Sequence, residues 1–328
     1  MTSSDKLNKK IAFAVLLSVA LLLCAPFVGS KLLLPSDLLA DTLDGTILRR
    51  MRIPRVLLGF FAGAALSFGG ACFQSLFRNG LASPYTLGLS GGAALGVSIA
   101  AWLGVGGTLL GMGANGIAAF AGAFIVSALV YMLSRCGHRN DGNTLLLAGV
   151  AISFFTSSVI MFVQYAGREG ELFRVMRWMS GSLAVSDYMP LFILVPLCAI
   201  ALCISMLGGA EALDLLSVGD DFAASRGIDL KRTRLLTFAV VSLITGAVVA
   251  LCGPIGFVGL VCPHIARLAI GAPNRRLIPL AMLLGGTFLT LCDTIGRSIS
   301  QNAEIPAGII SSLIGAPFFL YQLLKARD

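Results

Sequence analysis

The sequence predicts an all-α, polytopic membrane protein of about ten transmembrane helices, and three observations carry that prediction. Hydrophobic residues make up 57% of the chain and charged residues only 12%, where a soluble domain has about 25% charged residues. Mean hydropathy is +0.90. Apolar segments of about 20 residues, each able to cross about 30 Å of hydrocarbon, recur along all 328 residues. They leave no room for a large soluble domain, so residues 1–328 read as a single membrane domain.

The first span is 11–30, preceded by Lys6, Lys9 and Lys10. Cys24 follows Leu23 rather than a small residue, so this segment reads as an uncleaved span and not as a lipoprotein signal. The remaining spans are 54–76, 86–106, 114–134, 143–165, 189–208, 235–253, 255–271, 277–296 and 305–324. The spacings Gly59–Gly63, Gly88–Gly92 and Gly92–Gly96 fall inside apolar runs, where small residues let helices approach closely. The eighth span is expected to be interrupted at Pro263, and "GPIGFVGLVCPHIAR" (253–267) and "NGLASPYTLGLSGGAALG" (79–96) both read as broken helices. Irregular backbone at membrane depth is tolerated where it is buried or lines a cavity, the usual place for a transport path.

An even number of spans puts both termini on one side. Lys6, Lys9 and Lys10 at one end, with Lys325 and Arg327 at the other, place that side in the cytoplasm. Of the 24 Lys and Arg residues, 15 then fall in cytoplasmic segments and 9 in outer ones. The net charge of +8 is accounted for by basic cytoplasmic loops and does not call for nucleic acid as a partner. "RRMRIPR" (49–55) runs against the trend, with four arginines on the outer side. They could snorkel to lipid head groups. Alternatively Arg52 and Arg55, three apart, project from one face and receive acidic groups of a partner, with Arg297 at the outer end of the ninth span joining them.

The longest cytoplasmic loop, "GGAEALDLLSVGDDFAASRGIDLKRTR" (208–234), carries a compact helix signature. Asp220 can cap the N-terminus, Asp221 lies in the first turn, Arg226 in the last, and Gly227 follows as a terminator. A preceding helical piece, 211–218, holds Leu213, Leu215, Leu216 and Val218, which a soluble partner could contact.

The chemistry that would make this an enzyme is absent from the sequence. The eight cysteines form no CxxC pair, there are only two histidines, and no metal-ligand cluster or nucleophile–base pair appears. No GxxxxGK[ST] loop is present to bind ATP. Asp293 and Glu304 lie near outer span ends, and no convincing mid-span carboxylate is left for an ion-coupled carrier working alone. No metal, cofactor or catalytic residue is therefore assigned.

The stretches 52–96, "LLLAGVAIS" (145–153), "GPIGFVGLVCPHIARLAIGAPNRRLIP" (253–279) and "EIPAGIISSLIGAPFFLYQLL" (304–324) strongly resemble the permease family of bacterial iron–siderophore, haem and cobalamin ABC importers. The resemblance runs from about residue 45 to 328. It implies the type II importer architecture: a ten-span, multi-pass permease of the bacterial inner membrane acting as a homodimer or paired with a sister permease. Two cytoplasmic ATPase subunits would attach below, and a periplasmic or lipid-anchored substrate-binding protein would dock above. ATP hydrolysis by the partner would drive alternating access, with a ferric siderophore as the expected cargo and cobalamin, haem or molybdate as alternatives.

The resemblance also implies roles for particular residues. Arg52 and Arg55 match the family's R-x-P-R positions, and Arg297 the D-x-x-x-R position beginning at Asp293; these would dock the binding protein. The coupling segment (about 211–228) would meet the ATPase through Asp214, Leu215, Leu216, Gly219, Asp220, Asp221, Ala224, Arg226 and Gly227. The inner gate would be closed by Asn79, Gly80 and Leu81 and by Gly142, Asn143 and Thr144. Two departures stand out. The family's N-P-L reads Asn79–Gly80–Leu81 here, which could loosen the gate loop, and its G-x-D-H-R reads Gly271–Ala272–Pro273–Asn274–Arg275.

Overall fold

The computed structural model describes residues 3–105, 108–109, 112–136, 142–166, 175–185, 187–271, 273–299 and 304–325. Helices dominate. Their order is α1 (Ser3–Cys24), α2 (Leu43–Ile47), α3 (Ile53–Leu76), α4 (Leu89–Trp102), α5 (Ala114–Cys136), α6 (Gly142–Ala166), α7 (Met189–Ile204), α8 (Ala210–Val218), α9 (Asp220–Ser225), α10 (Leu230–Cys252), α11 (Val258–Ile270), α12 (Asn274–Ile299) and α13 (Ala307–Lys325). A two-residue antiparallel pair, Thr108–Leu109 with Met112–Gly113, precedes α5. Among the described residues, seven helical stretches are long and apolar enough to cross a membrane, and α4, α11 and α13 are shorter apolar helices. These ten stand where the ten spans were expected.

Burial sorts the helices into a centre and a rim. In α3, 83% of the most apolar window lies inside the protein, against 17% in α6 and 22% in α1, so α3 is the axis of the bundle. It packs most extensively on α12, then on α11, α10 and α7. Its sequence explains the position: Gly, Ala and Ser recur along it, and at those small residues neighbouring helices approach closely. A Cβ placed on Gly63 would lie 2.1 Å from the Gly285 carbonyl oxygen of α12. One placed on Gly70 would lie 1.6 Å from the Gly259 carbonyl oxygen of α11. The α4–α5 pair is close-packed in the same way, with Gly92 and Gly96 against Gly122 and Ala118. Buried hydroxyls bridge helices elsewhere, Ser18 to Thr287 at 2.6 Å between α1 and α12 and Ser127 to Ser242 at 2.5 Å between α5 and α10.

The break in the 253–267 stretch is not at Pro263. Helix α11 runs through that proline, and the irregular backbone is Gly253–Phe257, where Gly253 has φ 73° and Phe257 has φ 65°. Proline at 263 removes the amide that would bond the Gly259 carbonyl. That carbonyl is the one set against Gly70, so the helix loses one ladder bond without opening. In the 79–96 stretch, α3 ends at Leu76, Arg78 turns with φ 49°, and α4 begins only at Leu89.

Candidate functional site

Chemistry-bearing side chains gather at the two ends of the α3–α12 pair. The helix that contains the arginine cluster is continuous from Leu43 to Leu76. Residues Leu48–Arg52 form a π-helical turn within it. Such single wide turns are rare inside α-helices and often mark functional positions.

Arg55 and Arg297 share one buried carboxylate. Arg55 donates through Nε to both oxygens of Asp293 at 3.0 Å and through Nη2 to Oδ1 at 2.9 Å. Its Nη1 donates to Glu304 Oε2 at 2.5 Å. Arg297, one turn beyond Asp293 on α12, pairs through Nε with Oδ2 at 3.0 Å. Its Nη2 donates to the Ala25 carbonyl and to Thr294 Oγ1, both at 3.3 Å, while its Nη1 has no hydrogen-bond partner among the described residues. Asp293 is 1% exposed and Arg297 3%. The Glu304 side chain, by contrast, is half exposed.

Arg52 lies beside them and binds backbone instead of carboxylate. It donates to the carbonyls of Pro26 at 3.2 Å, Phe27 at 3.3 Å and Lys31 at 2.7 Å, pinning the turn after α1. Arg52, Arg55 and Arg297 together line a cleft of about 350 Å³ with Lys31, Asp44 and Glu304. Four cations there face three carboxylates, counting Asp293. The three arginines matched to docking positions are thus brought together, but each is already engaged inside the chain. Of the two left unassigned, Arg49 bonds the Ala40 carbonyl and Asp41, and Arg50 is exposed.

At the opposite end, a kink at Leu207 and Gly208 (φ 114°) separates α7 from α8 and α9. Asp220 does not cap α9. Gly219 is the flanking residue, and the Asp220 carboxylate instead bonds Arg78 and, at 2.6 Å, Arg234. Two guanidinium groups outcompete a backbone amide for the same carboxylate, because both partners are ionised. Asp214 likewise turns inward: its Oδ1 accepts from the Asn274 backbone nitrogen at 2.9 Å and from Asn274 Nδ2 at 2.7 Å. Leu216 is buried and Leu215 packs against the core. The outer surface of the segment is therefore Asp221, Ala224, Arg226 and Gly227, joined by Val218 and Phe222. The Arg226 guanidinium lies 5.4 Å over the Phe222 ring. Phe222 also belongs to this surface, and its signal in the sequence is that it is the lone aromatic residue of the 208–234 loop.

Asn79, Gly80 and Leu81 form a compact turn in which Asn79 Oδ1 accepts the Leu81 amide at 2.9 Å and the Asn79 carbonyl accepts that of Ala82 at 3.0 Å. An Asx turn of this kind holds the loop without a proline. Gly142, Asn143 and Thr144 are the first residues of α6, and their side chains lie outside the described residues. Among the described residues, no group of three or more His, Cys, Asp or Glu side chains could hold a metal ion.

Residues 15–325 match the model of the FecCD transport family. The chain is 37% identical to the hemin transport system permease protein of Yersinia pestis, over 85% of this chain and 83% of that one. It is 39% identical to the cobalamin import system permease protein of Halobacterium salinarum, over 88% and 75%. A solved structure, described as an inward-facing conformation of an ABC transporter assigned to the metal-chelate type, superposes with a TM-score of 0.85. That match is 29% identical and covers 97% of this chain and 99% of the other. With a family match over nearly its whole length and relatives of this similarity, the chain belongs to the FecCD transport family and is a multi-pass membrane permease of an ABC transporter.

Proposed function

We propose that this permease imports a metal chelate, a ferric siderophore before haem or cobalamin, with the oxyanion molybdate as the remaining alternative, across the bacterial inner membrane by ATP-driven alternating access. The observation that carries the reading is the end-to-end similarity to a transporter of the metal-chelate type. The relatives named for hemin and cobalamin support cargo of the same kind, a metal held in a large organic ligand. In this reading the chain forms a homodimer with both termini cytoplasmic. Two ATPase subunits meet the exposed face of α8–α9, and a substrate-binding protein docks at the arginine end. The Asn79–Leu81 turn and the start of α6 close the inner gate.

Docking works by exchange. The guanidinium groups of Arg55 and Arg297 are held by Asp293, so a partner's carboxylate gains its place by displacing half-exposed Glu304 from Arg55 Nη1. Glu304→Gln removes both the internal competitor and a like charge. It is expected to tighten docking about threefold to tenfold, a change of order 1 kcal/mol, measurable as the affinity of the binding protein for the permease in nanodiscs. Weaker or unchanged affinity contradicts the exchange.

At the other end, Phe222→Cys is expected to crosslink to the ATPase through a short bifunctional reagent, whereas Leu216→Cys, buried, is not. Crosslinking from neither position would remove α8–α9 as the contact. The cargo is tested by presenting the purified binding protein with ferric siderophores, haem, cobalamin and molybdate side by side. Tight, selective binding of a ferric siderophore is expected, and preference for another ligand changes the cargo alone.

A further inference from the structure

Asn274 sits at the segment that departs from the family pattern, Pro273–Asn274, and nothing in docking, gating or cargo uses it. It is the first residue of α12 and 1% exposed. Its side chain joins two elements. Nδ2 donates to Asp214 of α8 at 2.7 Å, and Oδ1 accepts from Ser75 Oγ of α3 at 2.8 Å. Its backbone nitrogen also donates to Asp214 at 2.9 Å. An anion set against helix-terminal amides is favoured by the exposed donors and the helix dipole. Arg267, in the last turn of α11, reaches Ser75 Oγ at 3.4 Å. The contact thus ties the α8–α9 segment to three membrane helices at one point.

The α3–α12 pair that receives this contact is braced along its length. Arg55 and Asp293 join the two helices at one end, Gly63 and Gly285 meet backbone to backbone in the middle, and Ser75 and Asn274 join them at the other end. The helices are therefore antiparallel neighbours with a polar clasp at each end and close backbone contact in the middle. Close-packed elements move as units, because interiors are poorly compressible. We propose that Asn274 is a positioning residue that locks the α8–α9 segment to the α3–α12 pair, so that docking at the arginine end and movement of the α8–α9 segment are one rigid-body event. Asn274 touches neither partner. This rests on the importer reading above.

The test uses the assembled permease–ATPase complex in proteoliposomes. ATP hydrolysis is measured with and without saturating binding protein, and the ratio of the two rates is the readout. Asn274→Ala is expected to keep the unstimulated rate within about twofold while the ratio falls about fivefold, the size of one lost hydrogen-bonded link between sites. Asn274→Asp, which sets a second carboxylate against Asp214, is expected to fall at least as far. The double variant Asp214→Asn with Asn274→Asp restores a donor facing an acceptor with the roles exchanged, and its ratio is expected to recover. A residue that only stabilised the fold would lower both rates together and leave the ratio unmoved, which would overturn the proposal, as would a wild-type ratio in Asn274→Ala. Where that variant fails to assemble, Ser75→Ala decides: it removes only the α3 side of the contact, and an unchanged ratio there overturns the proposal. A wild-type complex that retains no ATPase overturns the importer reading, and this inference with it.

Discussion

Replacing Asp293 with alanine is expected to cost about 3–5 kcal/mol, the usual consequence of removing one partner from a buried ion pair. The reason is specific to this site. One carboxylate, 1% exposed, serves two guanidinium groups, and among the described residues neither has another ionised acceptor apart from Glu304 on Arg55. Without it, two like charges face each other in a water-poor environment. The measurement is the unfolding midpoint of the purified permease in detergent. Asp293→Asn, which keeps the shape and one acceptor but loses the charge, should fall between wild type and the alanine variant. Removing Arg297 together with Asp293 should cost less than the sum of the two single changes, since each then leaves less unpaired charge behind. A midpoint for Asp293→Ala indistinguishable from wild type would mean that the carboxylate does not hold the arginines.

The second large effect is steric. Gly70→Ala adds a single methyl group, yet the added Cβ would meet the Gly259 carbonyl oxygen at 1.6 Å, its carbon at 2.5 Å and the Gly259 Cα at 2.9 Å. All three atoms are backbone, so no side-chain rotation relieves the clash, and α3 and α11 must separate. Overpacking typically costs about 1–3 kcal/mol and sometimes more; a contact made only by backbone belongs at the upper end. The expected result is a marked loss of folded permease in the membrane fraction. Gly80→Ala is the control, because a Cβ there meets nothing within 4 Å. Equal yields of the two variants would contradict the close approach of α3 to α11.

How much of this was legible in the sequence depends on the range of the interaction. Apolar runs of about 20 residues report directly on spans, because hydrocarbon thickness sets the length. The ten apolar helices accordingly lie where they were read. The break near 253–267 was misplaced because proline is a strong local signal, whereas the fate of Pro263 depends on the carbonyl it frees and on what lies beside it. Arg52 and Arg55 share a cleft with Arg297, but their engagement inside the chain could not be read. Asp293, Arg55's partner, is 238 residues away. The same holds for the α8–α9 segment. Asp220 looks like a helix cap from its neighbours alone, and only the fold brings Arg78 from 142 residues away to claim it. Asp214 reads as a surface acid until Asn274, 60 residues on, is placed against it. Local rules found the elements; the polar contacts between elements had to come from the structure.

On the proposed function, this chain is the membrane pathway of an ATP-driven importer of metal chelates. That role is tested most directly by reconstituting the permease with its ATPase and binding protein in proteoliposomes and following uptake of a labelled ferric siderophore. Accumulation that requires both ATP and the binding protein, and that ceases when either is withheld, is the expected result. Accumulation driven by an ion gradient without ATP, or none of any metal chelate when ATP and binding protein are both supplied, would contradict it.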